Sequence, residues 1–456
     1  MLENYLDSGV HDGIDYWPTS EVRILQSRLL SHQVDLCLSS HPYYADELAR
    51  AGVCAGSVAS IDDLVALPLT TKATFVASPD RFRLQAEEVP VVERTLWDVV
   101  YTTGTTSGVP APIYATTSDY YLHLQASVRN LDLLGVRRAD VVALLFPLTN
   151  YPTAATARII GEAAVAGASV VLAMPGRQIG DLGVHRTLED VIVLVRDVNA
   201  SVLMGHATFV RRLLKRAAEY GTNLPALRMC TVTGEPASDA LREDIRRLMT
   251  EVGASDTAVI NRYGSTEAGV SMIECTPGTG YHDLTPDQVL CEVVDPDSGR
   301  RVDDGEEGSL AVTHLVRRGT VLLRYLVGDI VSGTHEPCPE CGRTVFRITG
   351  GPRRLRDVVK IKGTLVNVAS LEDEVLRIAG VEDFQIIVRP PPADPMDGDE
   401  MIIRVVSASQ SPQMLQIVTD AVEMRANVRP KVEFASVEAF LGGVSAEKVR
   451  RFVDER

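Results

Sequence analysis

The chain has no apolar run near the ~20 residues that crossing a bilayer requires. It also has no internal repeat and no low-complexity tract, so solenoid, fibrous and disordered classes are not expected. The start, Met1-Leu2-Glu3-Asn4-Tyr5, lacks a basic stretch followed by an apolar one. A secretory leader is therefore not expected, and a cytoplasmic location is. Cationic charge is in deficit: 45 Lys and Arg stand against 61 Asp and Glu, a formal net charge of −16. Nucleic acid and anionic membrane surfaces want a basic face, so neither is an expected partner. Cysteine is sparse, seven in 456 residues. An odd number in a long chain fits free thiols in a reducing compartment.

What is present is an ordinary globular composition, long enough for two or three domains. The centre alternates short apolar strands with amphipathic helices. Val141-Val142-Ala143-Leu144-Leu145-Phe146, 169–173, 201–204 and 228–233 read as strands. Stretches 154–166, 188–198 and 208–220 between them read as helices. Apolar strands alternating with helices imply parallel sheets covered on both faces, with ligands beyond the strands' carboxyl ends. From about residue 290 the pattern changes to strands joined by hairpin turns. Beyond Gly350-Gly351-Pro352 a compact unit reads strand 357–362, helix 370–379, strands 383–388 and 400–406, helix 412–427, strand 431–437. That order predicts a small ferredoxin-like α+β unit. The fold class expected is α/β, a large N-terminal part (1–353) with buried, mostly parallel sheets plus a β-rich section. A small mobile α+β domain (354–456) follows it.

The run Thr102-Thr103-Gly104-Thr105-Thr106-Ser107-Gly108-Val109-Pro110 follows the apolar Val99-Val100-Tyr101. Small residues let backbone N–H groups approach a phosphate chain, and the hydroxyls add donors. The run lacks the Gly-Lys-Ser/Thr ending of a Walker loop and the glycine spacing of a dinucleotide fingerprint. Two further clusters sit at turns after strands. In Tyr263-Gly264-Ser265-Thr266-Glu267, the threonine can take a phosphate oxygen and the glutamate a magnesium ion, which prefers hard oxygen ligands. In Arg324-Tyr325-Leu326-Val327-Gly328-Asp329, the carboxylate suits the two hydroxyls of a ribose.

These clusters, with Gly234-Glu235-Pro236, stand in the order and rough spacing of the adenylate-forming superfamily of acyl- and aryl-CoA synthetases, which the chain resembles over nearly its whole length. His41-Pro42-Tyr43-Tyr44 and Leu67-Pro68-Leu69-Thr70-Thr71-Lys72 resemble its phenylacetate-CoA ligase branch. The resemblance implies a two-step reaction. A carboxylate attacks the α-phosphate of ATP-magnesium, releasing pyrophosphate; a thiol, usually that of coenzyme A, then displaces AMP. It implies that Thr102, Thr103, Gly104, Thr105, Thr106, Ser107 and Gly108 hold phosphates. Gly234, Glu235 and Pro236 would line the adenine, Tyr263 would stack on it, and Gly264 and Ser265 would flank it. Thr266 would touch the α-phosphate, Glu267 would hold magnesium, and Asp329 would bind the ribose. Arg354 matches the arginine before the family's hinge, Arg356 stands at the pivot in place of the usual acid, and Lys448 matches the adenylation lysine. Ala111 stands where relatives often carry a lysine or threonine, so the charge facing the γ-phosphate must come from elsewhere.

Cys338-Pro339-Glu340-Cys341-Gly342 has the form of a zinc-knuckle turn, and Cys275 with His282 would complete a closed Cys3His set for structural zinc. His335 competes for the fourth position. The substrate pocket is expected at Tyr151, His206, Gly264, Gly269 and Val270, and no basic residue announces itself as an anchor for a second carboxylate. An aromatic acid is the substrate that the resemblance favours. The acceptor would be coenzyme A, or the phosphopantetheine of a carrier protein. A third course is adenylation of a non-carboxylate such as nitrite, for attack by an aryl amine. A homodimer is left open as the assembly.

Overall fold

The computed structural model describes residues 13–102, 110–147, 158–176, 185–234, 237–350, 352–354, 358–361, 364–390, 399–436 and 451–456. The chain divides into two compact units, 1–142 with 149–171 and 260–352, and 143–148 with 172–259 and 353–456.

The first unit is built on antiparallel strands. Their order is Val289–Val294, Glu307–His314, Tyr325–Thr334, Arg347–Ile348, Tyr281–His282, Val270–Ile273, Ala258–Ser265. Neighbouring strands run antiparallel, as the hairpin spacing predicted. A separate hairpin pairs Leu96–Tyr101 with Pro112–Thr116. Helix Thr117–Leu133 follows at once. It is started by a capping box in which Thr116 and Asp119 exchange side-chain-to-backbone hydrogen bonds. The apolar core gathers Leu48, Phe75, Phe82, Ile113, Met272, Leu310, Leu323 and Tyr325.

The second unit holds the parallel part. Val202–Gly205 runs parallel to Met229–Val232, with all eight residues buried. Leu145 donates to the Met204 carbonyl on the other side, at 2.8 Å. Helices Leu188–Asp197, Ala207–Glu219 and Asp239–Glu251 cover these strands with leucine and valine faces. The middle of the chain thus pairs its strands in parallel where helices are available to cover them, and parallel pairing recurs in the C-terminal stretch, Asp383–Arg389 with Phe452–Asp454 and Glu400–Val406 with Lys431–Phe434.

The C-terminal stretch departs from the ferredoxin-like order read from the sequence. Val358–Ile361 pairs with Thr364–Asn367 in its own hairpin. The four-stranded sheet runs Lys431–Phe434, Glu400–Val406, Asp383–Arg389, Phe452–Asp454. The first expected strand thus lies outside the sheet, Lys431–Phe434 pairs directly with Glu400–Val406, and the unforeseen last strand Phe452–Asp454 takes the edge beside Asp383–Arg389. Helices Val368–Leu376 and Pro412–Ala426 contribute Leu371, Val375, Val418 and Val422 to a core of its own. This stretch also meets the parallel part: Arg211 donates to the Glu382 carbonyl at 2.8 Å, and Lys215 pairs with the Glu382 carboxylate at 3.3 Å.

Candidate active site and metal centre

In the first unit the expected residues assemble around one tight turn. Ser265 pairs with Val270 and Gly264 with Ser271, so Thr266, Glu267, Ala268 and Gly269 form the turn itself. Tyr263 ends a continuously buried run of this strand, and its hydroxyl donates to Asp329 Oδ2 at 2.7 Å. Two motifs far apart in sequence thus share one hydrogen bond. Thr266 is half-buried, Gly264 and Gly269 are open to solvent, and Val270 is buried.

Glu267 is 7 % exposed and its Oε1 lies 2.6 Å from the Lys72 ammonium. Lys72 was legible only as the end of a resembling stretch, and its role was missed. It opens the helix Lys72–Ala77, whose cap is the Thr71 hydroxyl accepting from Thr74 N–H. The preceding Thr70 forms a parallel bridge with Tyr325, exchanging backbone hydrogen bonds with Arg324 and Leu326. Arg324 fixes the same segment from beneath, donating to Glu292, Leu67 and Gly299. Leu-Pro-Leu-Thr-Thr-Lys is therefore docked on the strand that carries Asp329, and its lysine lands on Glu267. The Oε2 atom of Glu267 keeps one long hydrogen bond from Ser265, at 3.3 Å. That oxygen is the one left to a hard cation. The buried Tyr325 hydroxyl has no hydrogen-bond partner among the described residues. Burial, reinforced by the charges of Glu267 and Asp329, holds it protonated as a donor.

Thr102 stands at the neck of the threonine run. Its backbone N–H donates to the Ala111 carbonyl and its hydroxyl accepts from the Ala111 N–H, both at 3.0 Å. This hydroxyl closes the loop rather than facing out of it. Thr103, Gly104, Thr105, Thr106, Ser107 and Gly108 lie outside the described residues. So do Glu235, Pro236, Tyr151, the hinge position Arg356 and Lys448. The backbone of Arg354 lies in the short strand Arg353–Arg354.

In the second unit two expected residues meet. Gly234 has φ +81°, and a Cβ there would fall 2.6 Å from the His206 imidazole. His206 is held by a 3.0 Å contact of its Nδ1 with the Thr233 carbonyl and by an edge-on contact with Phe146.

The expected metal ligands come together in the first unit. Cys275, His282, Cys338 and Cys341 offer ligand atoms that all lie within 4.8 Å of one another. Cys275 Sγ is 3.9 Å from Cys338 Sγ, and Cys341 Sγ is 3.5 Å from His282 Nε2. Sulfurs bound tetrahedrally at the usual zinc–sulfur length sit ~3.8 Å apart, far beyond disulfide length. Strand Tyr281–His282 holds the histidine between Ile273 and Arg347. Its Nδ1 meets the Ile273 carbonyl at 3.1 Å, which leaves Nε2 to the ligand cluster. Burial lowers the ring's pKa to about 4, so it stays neutral, as a ligand must. At Cys338 burial opposes ionisation, but N–H groups of Cys341 and Glu340 outweigh it and favour the thiolate. The donor set fits zinc. His335 is not part of the cluster; Asp304 holds it at 3.3 Å.

The comparisons agree with this geometry. The model of the AMP-binding enzyme family matches residues 29–325. A phenylacetate-coenzyme A ligase of Thermus thermophilus is 26% identical over 82% of this chain and 79% of its own length. The Escherichia coli phenylacetate-coenzyme A ligase is 24% identical over 80% and 78%. Among solved structures, a 2-hydroxyisobutyryl-CoA ligase in its postadenylation state superposes with TM-score 0.78, at 20% identity, over 98% of this chain and 94% of that one. The likeness makes the protein an AMP-forming ligase on an adenylate-forming fold. The chain belongs to the AMP-binding enzyme family.

Proposed function

We propose that this ligase adenylates an aromatic carboxylic acid and transfers the acyl group to coenzyme A. The observation that carries the reading is the likeness to phenylacetate-coenzyme A ligases over four fifths of the chain. The meeting of Tyr263 with Asp329 and of Lys72 with Glu267 supports it.

In the first step a carboxylate oxygen of the acid bonds to the α-phosphorus of ATP, and the bond to pyrophosphate breaks. Thr103, Gly104, Thr105, Thr106, Ser107 and Gly108 would hold the departing phosphates, with Thr102 tying the neck of that loop. Tyr263 would lie against the adenine with Gly234, Glu235 and Pro236, and Asp329 would accept from ribose hydroxyls. Thr266 would donate to the α-phosphate. The Lys448 ammonium would offset charge developing between carboxylate and phosphate, and Lys72 would supply a second ammonium that Ala111 cannot. Magnesium, when bound, would neutralise phosphate charge, with Glu267 as its protein ligand. In the second step the coenzyme A thiol loses its proton and bonds to the acyl carbon, and AMP leaves. We assign residues 1–353 and 354–456 as separate domains for these steps, with Arg354 before the pivot Arg356. We assign Cys275, His282, Cys338 and Cys341 a structural zinc, which the reducing cytoplasm would leave undisturbed. Tyr151, His206, Gly264, Gly269 and Val270 would border the acid.

The test is ATP–pyrophosphate exchange over aromatic acids, aliphatic acids and nitrite, followed by coenzyme A and mass analysis. Exchange with an aromatic acid and a coenzyme A thioester product is expected. Acylation of a carrier protein alone, or exchange with nitrite alone, sinks the reading.

A further inference from the structure

Arg317 is buried, 8 % exposed, yet its guanidinium meets no hydrogen-bond acceptor or ion-pair partner among the described residues. Among the described residues only its backbone carbonyl is engaged, accepting from Gln33 and Arg318. Two carboxylates, Asp119 and Asp98, act on it through space, and both are already taken. Asp119 accepts from the N–H groups of Thr116, Arg318 and Gly319 at 2.9, 2.9 and 2.8 Å. Asp98 is held by both arms of Arg158, at 2.8 and 2.7 Å. Arg158 itself adds like charge. His314, the remaining titratable neighbour, touches the Ala268 carbonyl through Nε2 and accepts from Leu322 N–H through Nδ1, so it is neutral.

The unpaired guanidinium lies against Gly269 in the turn that carries Thr266 and Glu267. Gly269 has φ +63°, and a Cβ there would sit 2.2 Å from Arg317 Nη1. Glycine is what lets the cation reach this turn. The guanidinium is largely covered yet is not among the fully buried unpartnered atoms, so it keeps contact with solvent, and arginine holds its charge there. With no acceptor among the described residues, it is placed to receive an anion brought by a ligand.

We propose that Arg317 recognises a second anionic group, such as a carboxylate, on the acid that this ligase activates. The proposal rests on the ligase reading above and narrows its substrate to acids with two negative groups. The planar guanidinium fork suits a carboxylate bidentately, and Gly269 and Val270 were the positions expected beside the acid. A phosphate of ATP is the other anion that this chemistry would accept.

Pyrophosphate exchange with benzoate and phenylacetate, each against its ring-carboxylated counterpart, tests it in the full chain and in Arg317→Gln and Arg317→Lys. The wild type should favour the dicarboxylates by about tenfold or more in kcat/KM. Arg317→Gln should collapse that ratio through the dicarboxylate KM, and Arg317→Lys should restore part of it. Arg317→Gln should melt no lower than the wild type, since it removes no ion pair or side-chain hydrogen bond among the described residues. An equal ratio in both proteins overturns the proposal, and so does a rise in KM for ATP that exceeds the rise for the acid. If no acid supports exchange in the wild type, the ligase reading fails. The thermal shift from dicarboxylate alone, in wild type against Arg317→Gln, still decides the role of Arg317.

Discussion

The Tyr263 hydroxyl donates a 2.7 Å hydrogen bond to Asp329, across 66 residues of sequence. The bond fixes the aromatic ring and the carboxylate in one arrangement before any nucleotide arrives. A hydrogen bond to a charged group is worth about 1.5–3 kcal/mol, roughly tenfold or more in an equilibrium. Tyr263→Phe should therefore raise the KM for ATP by about tenfold, with a smaller change in kcat. Steady-state kinetics at saturating acid checks this. A variant with unaltered KM would mean that the pair only braces the sheet.

Lys72 and Glu267 form the other pair of the turn, 2.6 Å apart with the carboxylate buried. Removing the ammonium strands a buried anion, at a cost of about 1–3 kcal/mol after allowing for the partial exposure of the lysine. Lys72→Ala should lower the melting temperature, and Lys72→Ala with Glu267→Gln should recover most of that loss. Adenylation should stay impaired in the double variant, because both charges are gone from the turn. Additive losses in the double-mutant cycle would show that the pair is uncoupled.

Much of the first unit was legible because its signals are local. The cluster Tyr263 to Glu267 stood out as a turn after a strand, and the Cys338–Cys341 knuckle stood out by its spacing, with Cys275 and His282 as partners and His335 as the competitor that the structure leaves out. Lys72 was not legible as a site residue, because its partner lies in a turn almost 200 residues away in sequence and the Thr70–Tyr325 bridge helps to bring it there. Arg317 was hidden for a different reason. Beside Arg318 it reads as an ordinary charged pair, yet the Arg318 side chain is tied to Glu93 and Gln33 while that of Arg317 finds no acceptor among the described residues. Pairing is a tertiary property that composition does not carry. The edge strand Phe452–Asp454 was missed likewise, since three residues give no periodicity.

The proposed site of Cys275, His282, Cys338 and Cys341 predicts one zinc per chain, measurable by elemental analysis of protein purified without chelator. Cys338→Ser and Cys275→Ser should each lose the metal and lower the melting temperature by several degrees. The site ties the segment after the strand Tyr325–Thr334 to the N-terminal residues, since Arg343 pairs with Asp15 and Thr344 donates to its carbonyl. A protein free of zinc with an unchanged melt would remove the structural role.

His41 and His314 are buried neutral rings. His41 accepts from Tyr43 and Tyr44 N–H at 3.2 and 3.0 Å and touches the Phe82 carbonyl through its other nitrogen. Burial lowers its pKa to about 4 and that of His314 to about 3. Both values lie below the unfolded value of about 6.5, so the unfolded chain takes up these protons first. Stability from the neutral rings is complete above pH about 6.5 and is lost as pH falls towards 4, by up to about 1.4 kcal/mol per ring per pH unit. Denaturant titrations at pH 7, 6 and 5 should show the fall, and His41→Gln should flatten its slope. A slope that His41→Gln leaves as steep as before would assign the acid sensitivity to other groups.

Gly234 holds a left-handed backbone at φ +81°, with the His206 imidazole where a side chain would begin. Gly234→Ala meets two penalties at once. The left-handed conformation costs a non-glycine residue roughly 1–2 kcal/mol, and the ring must leave its contacts with Thr233 and Phe146. The variant should melt lower and show a raised KM for the acid as well as for ATP, since His206 borders one and Gly234 the other in the proposed site. His206→Ala with Gly234→Ala removes the clash while keeping the backbone strain. It should recover part of the stability but not the acid KM. Recovery of neither would place the whole effect of Gly234 in its backbone angle.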